Sequence, residues 1–404
     1  KTDNDTLPLN AGSKVSVFGR NSVDAILGGS GSNKGDTSNA VTDVNIALAN
    51  AGFKCNDVLQ NHYKSVKLTR PEMAMGSVLT GYPICEAPLP YPQTVTDSYT
   101  SYGDAAIVFI SRTGGEGFDL PRTMFWDGNN YRNWGAKDKK AVDGARRADD
   151  HYLQLDQNET DMIKTAADNF EKVVVVINSP TAMELGFLDD EGIDAALFVG
   201  MLGQSGTDSI GHILTGEESP SGRMVDTYAY DFSTNPSFAD KRRNGNHIHY
   251  TEGIYIGYKW YETAWHDGYY EKQGLDYEDV VQYPFGYGLS YSNFEWNVDS
   301  ISSENAEITN KYTQIEVKLT VTNNGPEEAR EVVQLYASAP YTPGGIEKPY
   351  ISLVAFDKTE KLEVGQSQQL TLTFDLYDIA SYDCYNKNGN SVTAYELDAG
   401  EYKL

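Results

Sequence analysis

Two uninterrupted apolar runs constrain this chain most: Ala105–Ile110 (Ala-Ala-Ile-Val-Phe-Ile) and Lys172–Ile177 (Lys-Val-Val-Val-Val-Ile). Neither alternates, so neither suits a sheet with one wet face. Continuous apolarity over five or six residues, rich in Val and Ile, suits parallel strands covered on both faces. The segments around them supply the covering layers. Ser38–Asn50 carries Val41, Val44, Ala47 and Leu48 at helical spacing, with Gly52 past its end. Asp156 followed by Glu159 has the form of a capping box and predicts a helix through about Phe170. Lys14–Phe18 and Asp194–Val199 read as further strands, and Thr207–Leu214 as a helix. Strands alternating with helices over residues 1–225 predict an α/β sandwich with a mainly parallel sheet and flanking helices.

The texture changes after residue 300. Ile315–Val321 alternates strictly, and Glu331–Ala337 and Gln368–Phe374 nearly so, with turn signals at Asn323-Asn-Gly-Pro326, Pro343-Gly-Gly345 and Val364-Gly365. Such short strands predict a β-sandwich over residues 301–404. Residues 226–300 read as a connector packing between the two. The expected fold class is thus multidomain, α/β followed by all-β.

At 404 residues, two or three domains are expected. The net charge of −26, from 58 acidic and 32 basic side chains, repels phosphate backbones and anionic membrane surfaces. No nucleic-acid partner is expected. The longest apolar runs fall far short of the roughly 20 residues that span a bilayer, so no membrane insertion by this segment is expected. The opening Lys-Thr-Asp-Asn-Asp is polar, without the apolar stretch of a secretory signal. Its first residue is not Met, which reads as a fragment or a processed product. Cys55, Cys85 and Cys384 are odd in number and widely spaced, giving no disulfide framework or metal motif and leaving the compartment open.

The Ala105–Ile110 strand empties into Ser111-Arg-Thr-Gly-Gly-Glu-Gly117, where Glu116 stands between two glycines. In open α/β sheets ligands bind outside the carboxyl ends of the strands, so a chemically active carboxylate belongs there. The bland alternative is a surface loop that happens to hold a Glu. Secondary, substrate-binding site candidates are Asp24, Gly28, Gly29 and Ser30, which follow the first strand, and Arg112, at the mouth of the Glu116 strand; if both strands run the same way, these loops share one edge. The alternative for each is turn geometry or a surface charge. Gly28-Gly-Ser-Gly-Ser32 fails both phosphate-binding patterns: Asn33-Lys34-Gly35 is not a P-loop, and Lys34 stands where the dinucleotide motif needs Gly. His247 and His249 would share a face in a strand, but no third metal ligand has a diagnostic spacing. Gly203-Gln-Ser-Gly206 lacks a nucleophile elbow. The polar, aromatic-laced stretch from Pro121 to Asp150 reads as a long loop; its Trp126, Tyr131 and Trp134 offer ring faces for stacking on a sugar.

Several segments, in order, resemble glycoside hydrolase family 3, the β-glucosidase family. Asp5-Thr-Leu-Pro-Leu9 before Lys14-Val-Ser-Val-Phe-Gly19 is similar to the opening of its second domain. Ser111–Gly117 is similar to its Gly-Glu-Gly loop. Gly203–Gly206 and Pro220-Ser-Gly-Arg223 resemble its Gly-Gln-x-Gly and Pro-Ser-Gly-Lys stretches. Glu252-Gly-Ile-Tyr-Ile-Gly-Tyr258 and Pro284-Phe-Gly-Tyr-Gly-Leu-Ser-Tyr291 resemble the approach to its third domain, a fibronectin type III-like sandwich, which Glu331-Val-Val-Gln-Leu-Tyr336 is similar to in turn.

The resemblance implies a retaining exo-acting β-glycosidase, most readily a β-glucosidase, with Glu116 as general acid/base and no metal or organic cofactor. The family's (β/α)8 barrel, which takes about 250 residues and normally carries the aspartate nucleophile, has no counterpart in the pattern of this sequence. Ala399-Gly-Glu-Tyr-Lys-Leu404 reads as a last strand cut short, so the chain reads as the first half of a permuted enzyme or as one part of a cleaved one. Its expected partners are then the barrel-domain portion of the same enzyme and a β-glucoside or oligosaccharide substrate. The chain would be inactive without the barrel. The competing reading is a non-catalytic carbohydrate-binding or scaffold module; nucleotide binding is a third.

Overall fold

The computed structural model describes residues 6–29, 32, 36–67, 86–114, 125–126, 140–141, 151–240, 249–302 and 310–404. They divide into two compact units, Lys1–Glu218 and Ser219–Leu404.

The first unit is built on a five-stranded parallel sheet. Its strands are β1 (Lys14–Phe18), β2 (Lys54–Cys55), β3 (Ala105–Ser111), β6 (Val173–Asn178) and β7 (Ala195–Phe198), in the order β2-β1-β3-β6-β7. Between β3 and β6 in the chain, β4 (Phe125–Trp126) and β5 (Lys140–Ala141) form a separate antiparallel pair. The two apolar runs are the central neighbours, paired from Ala106 opposite Val173 to Ser111 opposite Asn178. Every residue of both strands is buried, as their lack of alternation requires.

The helices are α1 (Val44–Asn50), α2 (Asp57–Ser65), α3 (Gln93–Ser98), α4 (Gln157–Asn169) and α5 (Gly206–Leu214). The capping box opens α4 as the sequence indicates: the Asp156 carboxylate accepts from Glu159 N at 2.8 Å, and Glu159 Oε2 accepts from Asp156 N at 3.1 Å. Helix α1 starts six residues later than its periodicity suggests. The Asp43 side chain accepts from Asn45 N, which caps the helix there. The Thr42 carbonyl meanwhile accepts from Ala25 N at 2.8 Å and so belongs to the loop after β1. Helix α5 lies hard against α1. A Cβ on Gly211 would sit 2.6 Å from Ala51 Cβ, so only a residue without one allows this approach.

The second unit begins with β8 (Tyr228–Ala229), α6 (Ser237–Asp240), α7 (Tyr258–His266), α8 (Tyr277–Val280) and β9 (Val281–Tyr283), with β8 antiparallel to β9. The stretch expected as a connector thus has a core of its own, of Ala229, Tyr261, Ala264, Tyr270, Val280 and Val281. The sandwich follows. One sheet is β10 (Phe294–Ile301), β11 (Gln314–Asn323) and β14 (Ser367–Asp375); the other pair is β12 (Val332–Ala337) with β13 (Ser352–Lys358). Ile315, Val317, Leu319 and Val321 of β11 are buried in strict alternation, and Leu319 and Val321 meet Val333 of the facing pair. A last hairpin, β15 (Ser381–Tyr382) with β16 (Tyr395–Glu396), completes the unit. No (β/α)8 barrel occurs among the described residues.

Candidate active site

All five strands of the first sheet are parallel, so the loops after β1, β3, β6 and β7 emerge at one edge. The chain leaves β1 through Gly19, whose φ of 104° brings it against the neighbouring strand; a Cβ there would lie 2.3 Å from the Phe109 carbonyl oxygen. A short 3-10 turn, Arg20–Val23, leads to Asp24, whose carboxylate lies 3.9 Å from the Arg20 guanidinium. Its side chain is about half exposed, at 44%. Gly28 and Gly29 continue this loop with intermediate exposure, and Ser30 lies outside the described residues.

Asn178, the last residue of β6, braces this edge from within. It is fully buried; its Oδ1 accepts from Ile26 N at 2.7 Å, and its Nδ2 donates to Ile26 O at 3.0 Å and Gly200 O at 2.6 Å. Its own backbone carbonyl accepts from Arg112 N. One amide therefore joins the loops after β1 and β7, and its peptide joins the loop after β3. Gly203, in the Gly-Gln-Ser-Gly stretch, adds a bond from its N to Leu27 O at 2.7 Å. Sequence reasoning missed Asn178. Its signal is a polar residue ending an otherwise apolar parallel strand.

Glu116 lies outside the described residues, but the base of its loop is defined. Arg112 has no exposed side-chain surface. Its Nη1 and Nη2 reach the two Glu159 carboxylate oxygens at 2.7 and 2.8 Å. Nε donates to Tyr152 O, Nη2 also to Gln154 O, and Nη1 also to Ser111 O. Five bonds match the five N–H groups of a guanidinium, so its donors are spent within the protein. The guanidinium carbon also lies 5.3 Å from the centre of the Tyr152 ring. The Tyr152 hydroxyl accepts from Thr113 N at 2.7 Å and donates to Thr113 O at 3.2 Å. The strand end leading to Glu116 is thus clamped from three residues upstream of it.

A second buried carboxyl borders the same edge. Glu86 accepts from Arg20 N at 2.8 Å and Ala87 N at 2.9 Å, fixing the backbone where it leaves β1. Burial pushes its pKa up to about 8, against the pull of those two hydrogen bonds. Asp156 is likewise raised, by burial and by the adjacent Glu159 carboxylate. Nothing in the sequence pattern distinguishes Glu86 from a surface Glu.

Trp126 stands in β4, paired by its backbone with Lys140; Tyr131 and Trp134, in the segment joining β4 to β5, lie outside the described residues. His247 is also outside them, and His249 is not in a strand. Among the described residues no group of three or more His, Cys, Asp or Glu side chains is arranged to hold a metal ion. None of the described helices is long and apolar enough to cross a membrane. In the second unit the family-like motifs bind each other. Met224, beside Pro220–Arg223, exchanges backbone bonds with Gly286 and Tyr287, and Ser219 Oγ meets Ser290 Oγ at 2.9 Å.

Comparison with known proteins places these features. Residues 1–258 match the model of the glycosyl hydrolase family 3 C-terminal domain, and residues 331–404 match the fibronectin type III-like domain. A β-glucosidase of Ruminococcus albus is 30% identical over 401 residues, covering 99% of this chain and 37% of that protein. β-Glucosidase A of Butyrivibrio fibrisolvens is 32% identical, covering 100% of this chain and 47% of its own length. The chain therefore spans less than half of either relative. Among solved structures, a β-glucosidase from Paenibacillus barengoltzii superposes with a TM-score of 0.78 at 29% identity, over 100% of this chain and 39% of that one. β-Glucosidase 3B from Thermotoga neapolitana, in complex with α-D-glucose, gives 0.72 at 26% identity, over 95% and 47%. The chain belongs to glycosyl hydrolase family 3, of which it carries the C-terminal α/β domain and the fibronectin type III-like domain.

Proposed function

We propose that this chain is the acid/base-bearing part of a retaining, exo-acting β-glycosidase, a β-glucosidase by preference. Retaining hydrolysis uses two carboxyl groups about 5–5.5 Å apart, one as nucleophile and one as acid/base. Glu116 takes the second role: it protonates the leaving oxygen, then activates water against the glycosyl-enzyme. The nucleophile belongs to a barrel-domain portion, on a separate or cleaved chain or elsewhere in a longer one, and these 404 residues alone are inactive. The observation that carries this reading is the clamped exit of β3, where Arg112, Glu159 and Tyr152 hold Thr113 just before the Gly-Glu-Gly loop. Such fixing is what an acid/base loop needs, because a small misplacement costs much of the rate.

Around it, Asp24, Gly28, Gly29 and Ser30 border the terminal sugar. Trp126, Tyr131 and Trp134 stack on the leaving group. Arg112, with its donors spent, acts as a positioning residue. The test combines this chain with a barrel portion and an activated aryl β-glucoside. Glu116→Ala should lower turnover, and azide should restore it by replacing water as the second nucleophile. Lack of azide rescue removes Glu116 from the acid/base role. Full turnover by the isolated chain refutes the division of the site.

A further inference from the structure

We propose that the β-sandwich unit carries a second, non-catalytic site for a neutral oligosaccharide, in a tyrosine-lined cleft at its last hairpin. The cleft measures about 550 Å³ and is lined by Tyr377, Tyr382 and Tyr395 together with Asn310 and Lys311. This falls within the size range of small-molecule sites. The three rings form one row, Tyr377 to Tyr395 at 5.0 Å between centroids and Tyr395 to Tyr382 at 5.1 Å. They are not core residues. The core beneath is Ile315, Phe374 and Leu376, with Leu397 packed on it, whereas the tyrosines are 39%, 48% and 54% exposed in chain order.

The row is also fixed in place. Tyr382 and Tyr395 are directly opposed across β15 and β16, and Tyr377 N donates to Lys311 O at 3.0 Å. The backbone that carries the rings is thus set, and the rings meet one another at interplanar angles of 57° and 61°, leaving apolar ring surface beside hydroxyls. A pyranose has the matching character, an apolar C–H face rimmed by hydroxyls.

Charge selects among the possible occupants. Among the described residues that line it none is a carboxylate, and Lys311 is the single charged one, its Nζ 5.2 Å from the centre of the Tyr377 ring. The chain as a whole carries −26, which opposes polyanions. A neutral glycan fits both the row and the field. The observations on the cleft lie wholly within the β-sandwich unit and draw nothing from the proposed catalytic function; only the choice of a β-linked glucan as probe rests on that reading.

The experiment is calorimetric titration of the full chain with cellotetraose. Binding is expected in the wild type and in Glu116→Gln. Tyr395→Ala and Tyr377→Ala should each weaken it by roughly three- to tenfold, the value of an aromatic contact, while Tyr395→Phe retains it. Lys311→Ala, which removes no ring, gives a second reading on affinity if an alanine variant lowers the melting temperature. No binding to the wild type overturns the proposal. So does equal affinity in Tyr395→Ala, Tyr377→Ala and Lys311→Ala, or a loss confined to Glu116→Gln, which would put the sugar at the catalytic edge.

Discussion

Glu159→Gln is the sharpest test of how the end of β3 is held. The substitution keeps the shape of the side chain and removes its charge, leaving the Arg112 guanidinium buried without an anion. Arg112 and Glu159 have 0% and 3% of their side-chain surface exposed. Breaking such a pair by removing one partner costs about 3–5 kcal/mol, because the remaining ion stays desolvated. Gln retains one acceptor for Arg112 and can still face Asp156 N, which places the expected loss near 3 kcal/mol.

Arg112→Met should cost more. It leaves Glu159 without its cation and also removes the hydrogen bonds donated to the carbonyls of Ser111, Tyr152 and Gln154, each worth about 1 kcal/mol. Because the chain has two units, a single unfolding midpoint would mix them. The suitable assay is native-state amide exchange read at β3, whose backbone reports the first unit alone. A loss of 3 kcal/mol lowers protection there by about two orders of magnitude. Protection reduced by less than roughly tenfold in Glu159→Gln, or an Arg112→Met variant no worse than Glu159→Gln, would refute the view that this ion pair and its three carbonyls hold the strand end.

Glu86 predicts a pH dependence. Its folded pKa of about 8 lies above the ordinary carboxyl value, so the folded state keeps a proton that the unfolded chain releases. Stability is therefore greatest below the unfolded pKa and declines as pH rises through 8, by an amount on the order of 5 kcal/mol at most. Glu86→Gln should flatten the decline; an unchanged pH profile by amide exchange would exclude the residue as its source. Gly211→Ala should lower amide-exchange protection in the first unit, since overpacking against Ala51 and the Ala47 carbonyl costs up to about 3 kcal/mol, against roughly 1 kcal/mol gained in helix propensity. Raised protection would mean that α1 and α5 separate easily. Trp126→Ala should raise KM for an oligosaccharide more than for an aryl glucoside, while equal effects would assign the ring a structural role.

The comparison of sequence with structure follows the range of the forces involved. Features set within one or two turns of chain were legible. The apolar runs declared buried parallel strands, Asp156 and Glu159 declared the start of α4, and the alternation from Ile315 to Val321 declared one face of a sandwich. That the loops after β1, β3, β6 and β7 share one edge followed as well, because parallel strands put their loops at one end. Features that depend on a distant partner were silent. Lys54–Cys55 becomes a strand only by pairing with β1, and α1 starts late because Thr42 bonds Ala25. Arg112 reads as a charge at the mouth of a loop until the fold brings Glu159, 47 positions away, to both ends of its guanidinium. Asn178 and Ile26 are 152 positions apart, and Glu86 and Arg20 are 66 apart. Local periodicity and capping are written into neighbouring residues, whereas a buried polar group's partner is chosen by whichever segment the sheet order brings within hydrogen-bond reach. The sequence alone therefore determined the layers and the edge that the strand-end loops share; the tertiary structure alone decided which charges there are spent on holding the edge together.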